Sequence, residues 1–257
     1  NKPELLSKNY LPNFTAGLTF FIAVAATNLF HQGNWQRVYA AKNNYVLKRS
    51  LIISFMIIIP IVFLMGFTGL VAASKNSSVF PDLAFFSLVL KENSITISFI
   101  ILLLAISLTV SSIDTIINAI SSLIIVDGNK VLKIKGNYLK YSKYFIVFIS
   151  LIAFIIASYG LSILYLFLLA DLLCCAAVLT IFYSLYNKII TEKSAYISII
   201  IGLFIGLLLF PSPDFSKSIL IGILFPIAYF PEFVSQSLLF LSFIFATFIP
   251  ILTWKIR

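Results

Sequence analysis

Charge is what this sequence has least of. Asp, Glu, Lys and Arg make up 11% of its 257 residues, against roughly a quarter in an average soluble domain. That deficit excludes a soluble globule of this size, whose apolar core needs a charged shell. Cysteine is scarce too, and the two present, Cys174 and Cys175, are adjacent inside an apolar run. Such a pair reads as packed free thiols; it excludes a disulfide scaffold and offers neither a ligand set nor a nucleophile with partners. A single histidine, His31, leaves no metal-binding constellation. Also missing are a phosphate-cradling glycine loop, HExxH, GxSxG and any spaced Cys/His set. Nothing therefore anchors enzyme chemistry, and no cofactor is implied. Acidic residues number nine against 18 basic ones, a balance that elsewhere suggests nucleic acid. Here the basic residues sit in short gaps between apolar runs and form no soluble basic module, so a nucleic-acid partner is excluded as well.

What remains is apolar: 61% hydrophobic residues, 26 of them Phe, with a mean hydropathy of +1.07. Lipid accepts apolar faces all round, so several helices of about 20 residues each are the expected form. Seven spans are predicted, at Phe14 to Phe30, Leu51 to Ala73, Ile95 to Val126, Tyr144 to Ser158, Leu161 to Tyr186, Tyr196 to Phe210 and Phe233 to Trp254. An eighth stretch, Ile219 to Phe230, holds Pro226 and is followed by Pro231; it is too short to cross alone and reads as re-entrant or interfacial. Pro81 to Leu90 reads as a short helix lying on the outer face. The chain begins with Asn and shows no cleavable leader before the first span, so it reads as a fragment.

Cytoplasmic loops carry the excess of Lys and Arg, which fixes the expected orientation. Arg37, Lys42, Lys48 and Arg49 follow span one; Lys130, Lys133, Lys135, Lys140 and Lys143 follow span three; Lys188 and Lys193 follow span five; Lys255 and Arg257 end the chain. These fall inside, and Lys2, Lys8, Lys75, Lys91 and Lys217 fall outside, provided Ile219 to Phe230 does not cross. If it crosses, the last two move outside.

The third span is unlike the others. Taking about 100° per residue, Ser107, Asp114, Thr115, Asn118 and Ser122 all fall within roughly 60° of Ser111. One face is a polar stripe and the opposite face is Ile, Leu and Val. Ser and Thr on such a helix commonly bond the carbonyl one turn back or let a neighbouring helix approach closely. A carboxylate among them is a different matter, because an ionisable group at bilayer depth costs about 2.5–3.5 kcal/mol on insertion scales and marks an ion or substrate path by default. Asp114 reads either so, or as a structural anchor bonded to another helix.

Three motifs carry a resemblance. The run SLTVSSIDTIINAISSLIIVD, Ser107 to Asp127, resembles the sodium-site helix of the sodium:solute symporter family. NWQRVYAAKN, Asn34 to Asn43, is similar to the QR..AAK pattern after that family's sixth core helix. LADLLCCAAV, Leu169 to Val178, resembles its tenth. The resemblance covers Phe14 to Tyr186 and implies an all-α, polytopic membrane protein with the five-plus-five inverted-repeat transporter fold. It implies a single transporter domain over 1–257, with 14–186 as the second core repeat (helices six to ten), 187–257 as peripheral helices, and the first repeat lying before Asn1. By the same resemblance Ser111 and Ser112 match the sodium-binding hydroxyls and Leu108 the carbonyl donor, although a small residue usually stands where Leu108 does. Hard cations favour such oxygens. Thr27, Asn28 and His31 match the interrupted end of the sixth helix, which lines the solute cavity; an ordinary helix end is the other reading of them. Arg37 matches an inner-gate residue, though inside-positive bias alone places an Arg there. Asp171 reads as part of an outer gate or as an anchor near the outer surface. Gly202 and Gly206 form GxxxG, a packing signal.

The function implied is a symporter of a bacterial cytoplasmic membrane that couples sodium entry to import of a small organic solute by alternating access. Sodium and solute are then its ligands, membrane lipid its surroundings, and no protein partner is required. Solute contacts would include Thr115 and Asn118 beside Asp114. Three rivals predict different things. A transporter-like sensor domain predicts a histidine kinase beyond Arg257, a proton-coupled permease predicts uptake independent of sodium, and a membrane-embedded enzyme predicts Asp114 and Asp171 converging on one cavity.

Overall fold

Runs of apolar residues that lack competing turn chemistry wind into helices, and the computed structural model is all-helical, with no β-strand element among the described residues. Those residues are 10–75, 81–90, 95–128, 130, 137–186, 190–215, 217–218, 220–221, 234 and 237–254. Among the described residues nine α-helices follow in order: α1 (Leu11–Phe30), α2 (Gln32–Tyr39), α3 (Asn44–Lys75), α4 (Ala84–Val89), α5 (Ile95–Ser122), α6 (Tyr138–Ser158), α7 (Ile163–Tyr186), α8 (Glu192–Leu209) and α9 (Leu238–Thr253). A 3₁₀ turn, Pro81–Leu83, leads into α4, and α5 runs on as a π-helix, Leu123–Gly128. Among the described residues six helices, α1, α3, α5 with its π extension, α6, α7 and α8, are long and apolar enough to cross a bilayer. This is a multi-pass integral membrane protein.

Six of the seven predicted spans are thus found, with shifted ends. Asn43 starts α3 early by accepting the Val46 N–H at 2.8 Å, which carries the helix through the polar turn holding Lys48 and Arg49. Thr191 starts α8 early through a capping box: its hydroxyl accepts the Ser194 N–H, while the Ser194 hydroxyl accepts the Thr191 N–H. In the seventh predicted span the described helix is α9, whose 16 residues span about 24 Å. Most of the Ile219 to Phe230 stretch lies outside the described residues. Pro81 to Leu90 does form the short helix expected there.

By packing, the chain divides into two units, one of Asn1–His31 with Leu161–Arg257 and one of Gln32–Gly160. The boundaries fall between α1 and α2 and between α6 and α7. In the first unit α1, α7, α8 and α9 bury small side chains against each other: Ala23 and Ala26 of α1, Cys175 and Ala176 of α7, Gly202 and Gly206 of α8, Ala246 of α9. A Cβ on Gly202 would stand 2.6 Å from the Pro250 ring and 2.9 Å from the Ala246 carbonyl, and one on Gly206 2.8 Å from the Ala246 Cβ. The GxxxG pair therefore brings α8 and α9 backbones together, and the Ser242 hydroxyl donates to the Gly206 carbonyl across that contact at 2.7 Å. Tyr183 stacks on Trp254 with centroids 4.5 Å apart, and the Trp254 indole N–H donates to the Thr180 hydroxyl.

In the second unit the helices pack more sparsely. α3 is exposed along almost its whole length, showing Ile, Phe, Leu and Met on every side, as a lipid-facing helix does. α2 meets α5, and α5 with its π extension meets α6, where Ala119 and Ser142 are buried.

Candidate functional site

The polar residues of interest fall in both units, so each group is described on its own. In the first unit, α1 stops at Phe30 because His31 turns extended (φ −73°, ψ 101°), its N–H reaching back to the Asn28 carbonyl; a new helix starts at Gln32. One turn before the break, Thr27 donates its hydroxyl to Asp171 Oδ1 at 2.5 Å. Asp171 is 8% exposed and sits inside α7, beside the fully buried Leu172. It is not a water-exposed anchor at a helix end. The bond length is that of a hydroxyl donating to a carboxylate. Asn28 donates to the Val24 carbonyl at 2.8 Å, a local bond within α1. The two cysteines are free: Cys175 is buried with its Sγ 3.8 Å from the Ile22 carbonyl, and Cys174 is partly buried.

In the second unit, α5 carries the stripe. Ser107, Ser111, Ser112, Asp114 and Asn118 are exposed and Thr115 is half-buried. The hydroxyls of Ser107, Thr109, Ser112 and Thr115 donate to the carbonyls of Leu103, Ala105, Leu108 and Ser111 at 2.8–3.0 Å. Back-bonding is therefore general along this helix, as it is for serines and threonines that have no other partner. It has a consequence at Leu108. That residue is exposed through its side chain, and its carbonyl oxygen lies 2.9 Å from Ser112 Oγ. Because the hydroxyl proton points at the carbonyl, the Ser112 lone pairs face away, free for a further partner. Two hard oxygens thus stand side by side on one turn with Ser111 adjoining. They fit sodium in kind but furnish only part of a coordination shell. Asn118 Nδ2 donates to Asp114 Oδ2 at 3.3 Å, one turn on.

At the end of the stripe Gln36 of α2 donates to the Ser122 hydroxyl at 2.7 Å, where α5 changes to π winding. Ser122 in turn donates to the Ala119 carbonyl. Arg37 is exposed on α2.

The structure therefore brings together Thr27 with Asp171, Leu108 with Ser112, Asp114 with Asn118, and Gln36 with Ser122, while Ser111 is exposed beside Ser112 in sequence. Asp114 and Asp171 belong to different units. Among the described residues no group of three or more His, Cys, Asp or Glu could hold a metal. Two of these pairings were beyond sequence reasoning. Thr27 and Asp171 are 144 positions apart and Gln36 and Ser122 are 86 apart, and no local signal links partners at such separations. No family model matches the chain, and neither a curated protein nor a solved structure matches it.

Proposed function

We propose that the chain is the second-repeat region of a sodium-coupled secondary transporter of the sodium:solute symporter type, importing a small organic solute. What supports this best is the oxygen set on one turn of α5: the Leu108 carbonyl and the Ser112 hydroxyl 2.9 Å apart, with Ser111 next in sequence, on a helix whose remaining residues are mostly Ile, Leu, Val, Phe and Ala. Oxygen ligands suit a hard monovalent cation, and polar groups at bilayer depth are costly unless used. The helix break at His31, one turn past Thr27, is of the kind that frees backbone groups for solute or ion. Thr27, Asn28 and Asp171 then belong to the solute path or its gate, with Asp114, Thr115 and Asn118 further along the ion helix and Arg37 at the inner gate.

Energetically one ion is enough. A charge moving through 100 mV supplies about 2.3 kcal/mol, and a tenfold sodium gradient about 1.4 kcal/mol. Together they support roughly 500-fold accumulation of a neutral solute. The test is uptake by the intact gene product with Ser111→Ala and Ser112→Ala combined. Half-maximal uptake is expected to need about tenfold or more sodium, as loss of two ligand oxygens requires. An unchanged sodium dependence removes these residues from the ion site.

A further inference from the structure

The first turns of α6 read YLKYSKY, Tyr138 to Tyr144, before the helix becomes wholly apolar. Asn137 fixes the start by accepting the Lys140 N–H, and Ser142 is buried on the side facing the protein. At about 100° per residue Lys140 lies nearly opposite Ser142, and Lys143, Tyr144, Val147, Phe148, Leu151 and Phe154 all fall within about 80° of Lys140. The structure agrees: both lysines are exposed, and the other five are each more than half exposed. The Lys140 ammonium stands 5.9 Å from the centre of the Tyr144 ring. The result is one continuous exposed track, cationic and phenolic at its start and apolar beyond. From Tyr144 to Phe154 it runs about 15 Å, the depth of one hydrocarbon leaflet.

We infer that this track is a binding site for an anionic phospholipid, its phosphate held by Lys140 and Lys143 and one acyl chain lying along Val147, Phe148, Leu151 and Phe154. Two ammoniums three positions apart on one face both attract a phosphodiester anion set between them. Tyr144 suits the depth where ring meets headgroup, since tyrosines concentrate at that interface. A free phosphate ion would use the lysines alone; the leaflet-long apolar stretch on the same face selects a lipid. The lysines belong to the inside excess of basic residues, which places the site in the cytoplasmic leaflet. Lipid capture here requires no transport activity.

The experiment uses the intact protein in nanodiscs of phosphatidylcholine with or without phosphatidylglycerol, and reads retained lipid by native mass spectrometry. The wild type is expected to retain phosphatidylglycerol preferentially, and Lys140→Gln with Lys143→Gln to weaken that retention about 30-fold, the size expected of two interfacial ammoniums. Lys140→Arg with Lys143→Arg is expected to keep it, Phe148→Ala with Leu151→Ala to weaken it, and added inorganic phosphate not to displace it. All side chains involved are exposed, so each variant is expected to fold. Equal retention in the Gln variant, an equal loss on Lys75→Gln at the far end of α3, or displacement by inorganic phosphate overturns the inference.

Discussion

Among the described residues one side-chain hydroxyl, that of Thr27, donates to Asp171, and that bond decides what its neighbours tolerate. A buried acceptor left without its donor bears its full desolvation cost, whereas removing both partners of a bond can be close to neutral. Thr27→Val is therefore expected to destabilise the folded protein by about 1–3 kcal/mol, and Thr27→Val combined with Asp171→Leu to cost less than Thr27→Val alone. Chemical unfolding in detergent micelles measures both; a double variant that is the weaker of the two would mean the carboxylate has other support. The presence of a carboxylate in an apolar helix was legible from the LADLLCCAAV run. Its burial was not, because depth in a helix bundle depends on which helices arrive beside it. Leu108 shows the reverse: under the proposed function the group that matters there is a backbone carbonyl, which any residue supplies, so its side chain gives no sign of the role.

At the scale of the helices, close approach governs. An added methyl at Gly202 would meet the Pro250 ring and the Ala246 carbonyl below 3.0 Å, and one at Gly206 would meet the Ala246 Cβ at 2.8 Å. Gly202→Ala is expected to lower stability by about 1–3 kcal/mol through overpacking. Gly17→Ala in α1, where nothing stands within 4 Å of the new carbon, is expected to leave stability unchanged or raise it by up to about 1 kcal/mol through helix propensity. Thermal unfolding of the two variants side by side separates these outcomes, and equal shifts would refute the close contact. Periodicity and length fixed the existence of the helices, since an apolar run of about 20 residues has few alternatives. Their ends were less legible. The starts of α3 and α8 depend on Asn43 and Thr191 satisfying backbone donors outside the apolar runs, so a hydropathy reading begins both helices late.

The whole chain shows two kinds of packing. The unit of α1, α7, α8 and α9 is joined by small residues and interhelical hydrogen bonds, whereas α3, α5 and α6 expose most of their apolar surface, as spans bathed in lipid do. The polar face of α5 could be drawn from the sequence alone, because a helix fixes the direction of each side chain. The bonds that organise it could not, since each hydroxyl chooses between the carbonyl behind it and an outside ligand. Under the proposed function, sodium is the outside ligand that the Ser112 oxygen takes. The most direct test is equilibrium binding of radioactive sodium to the purified intact protein, wild type against Ser111→Ala with Ser112→Ala. Saturable binding by the wild type, weakened at least tenfold in the double variant, is the predicted result; identical binding by both, or no saturable sodium binding by the wild type, would contradict it.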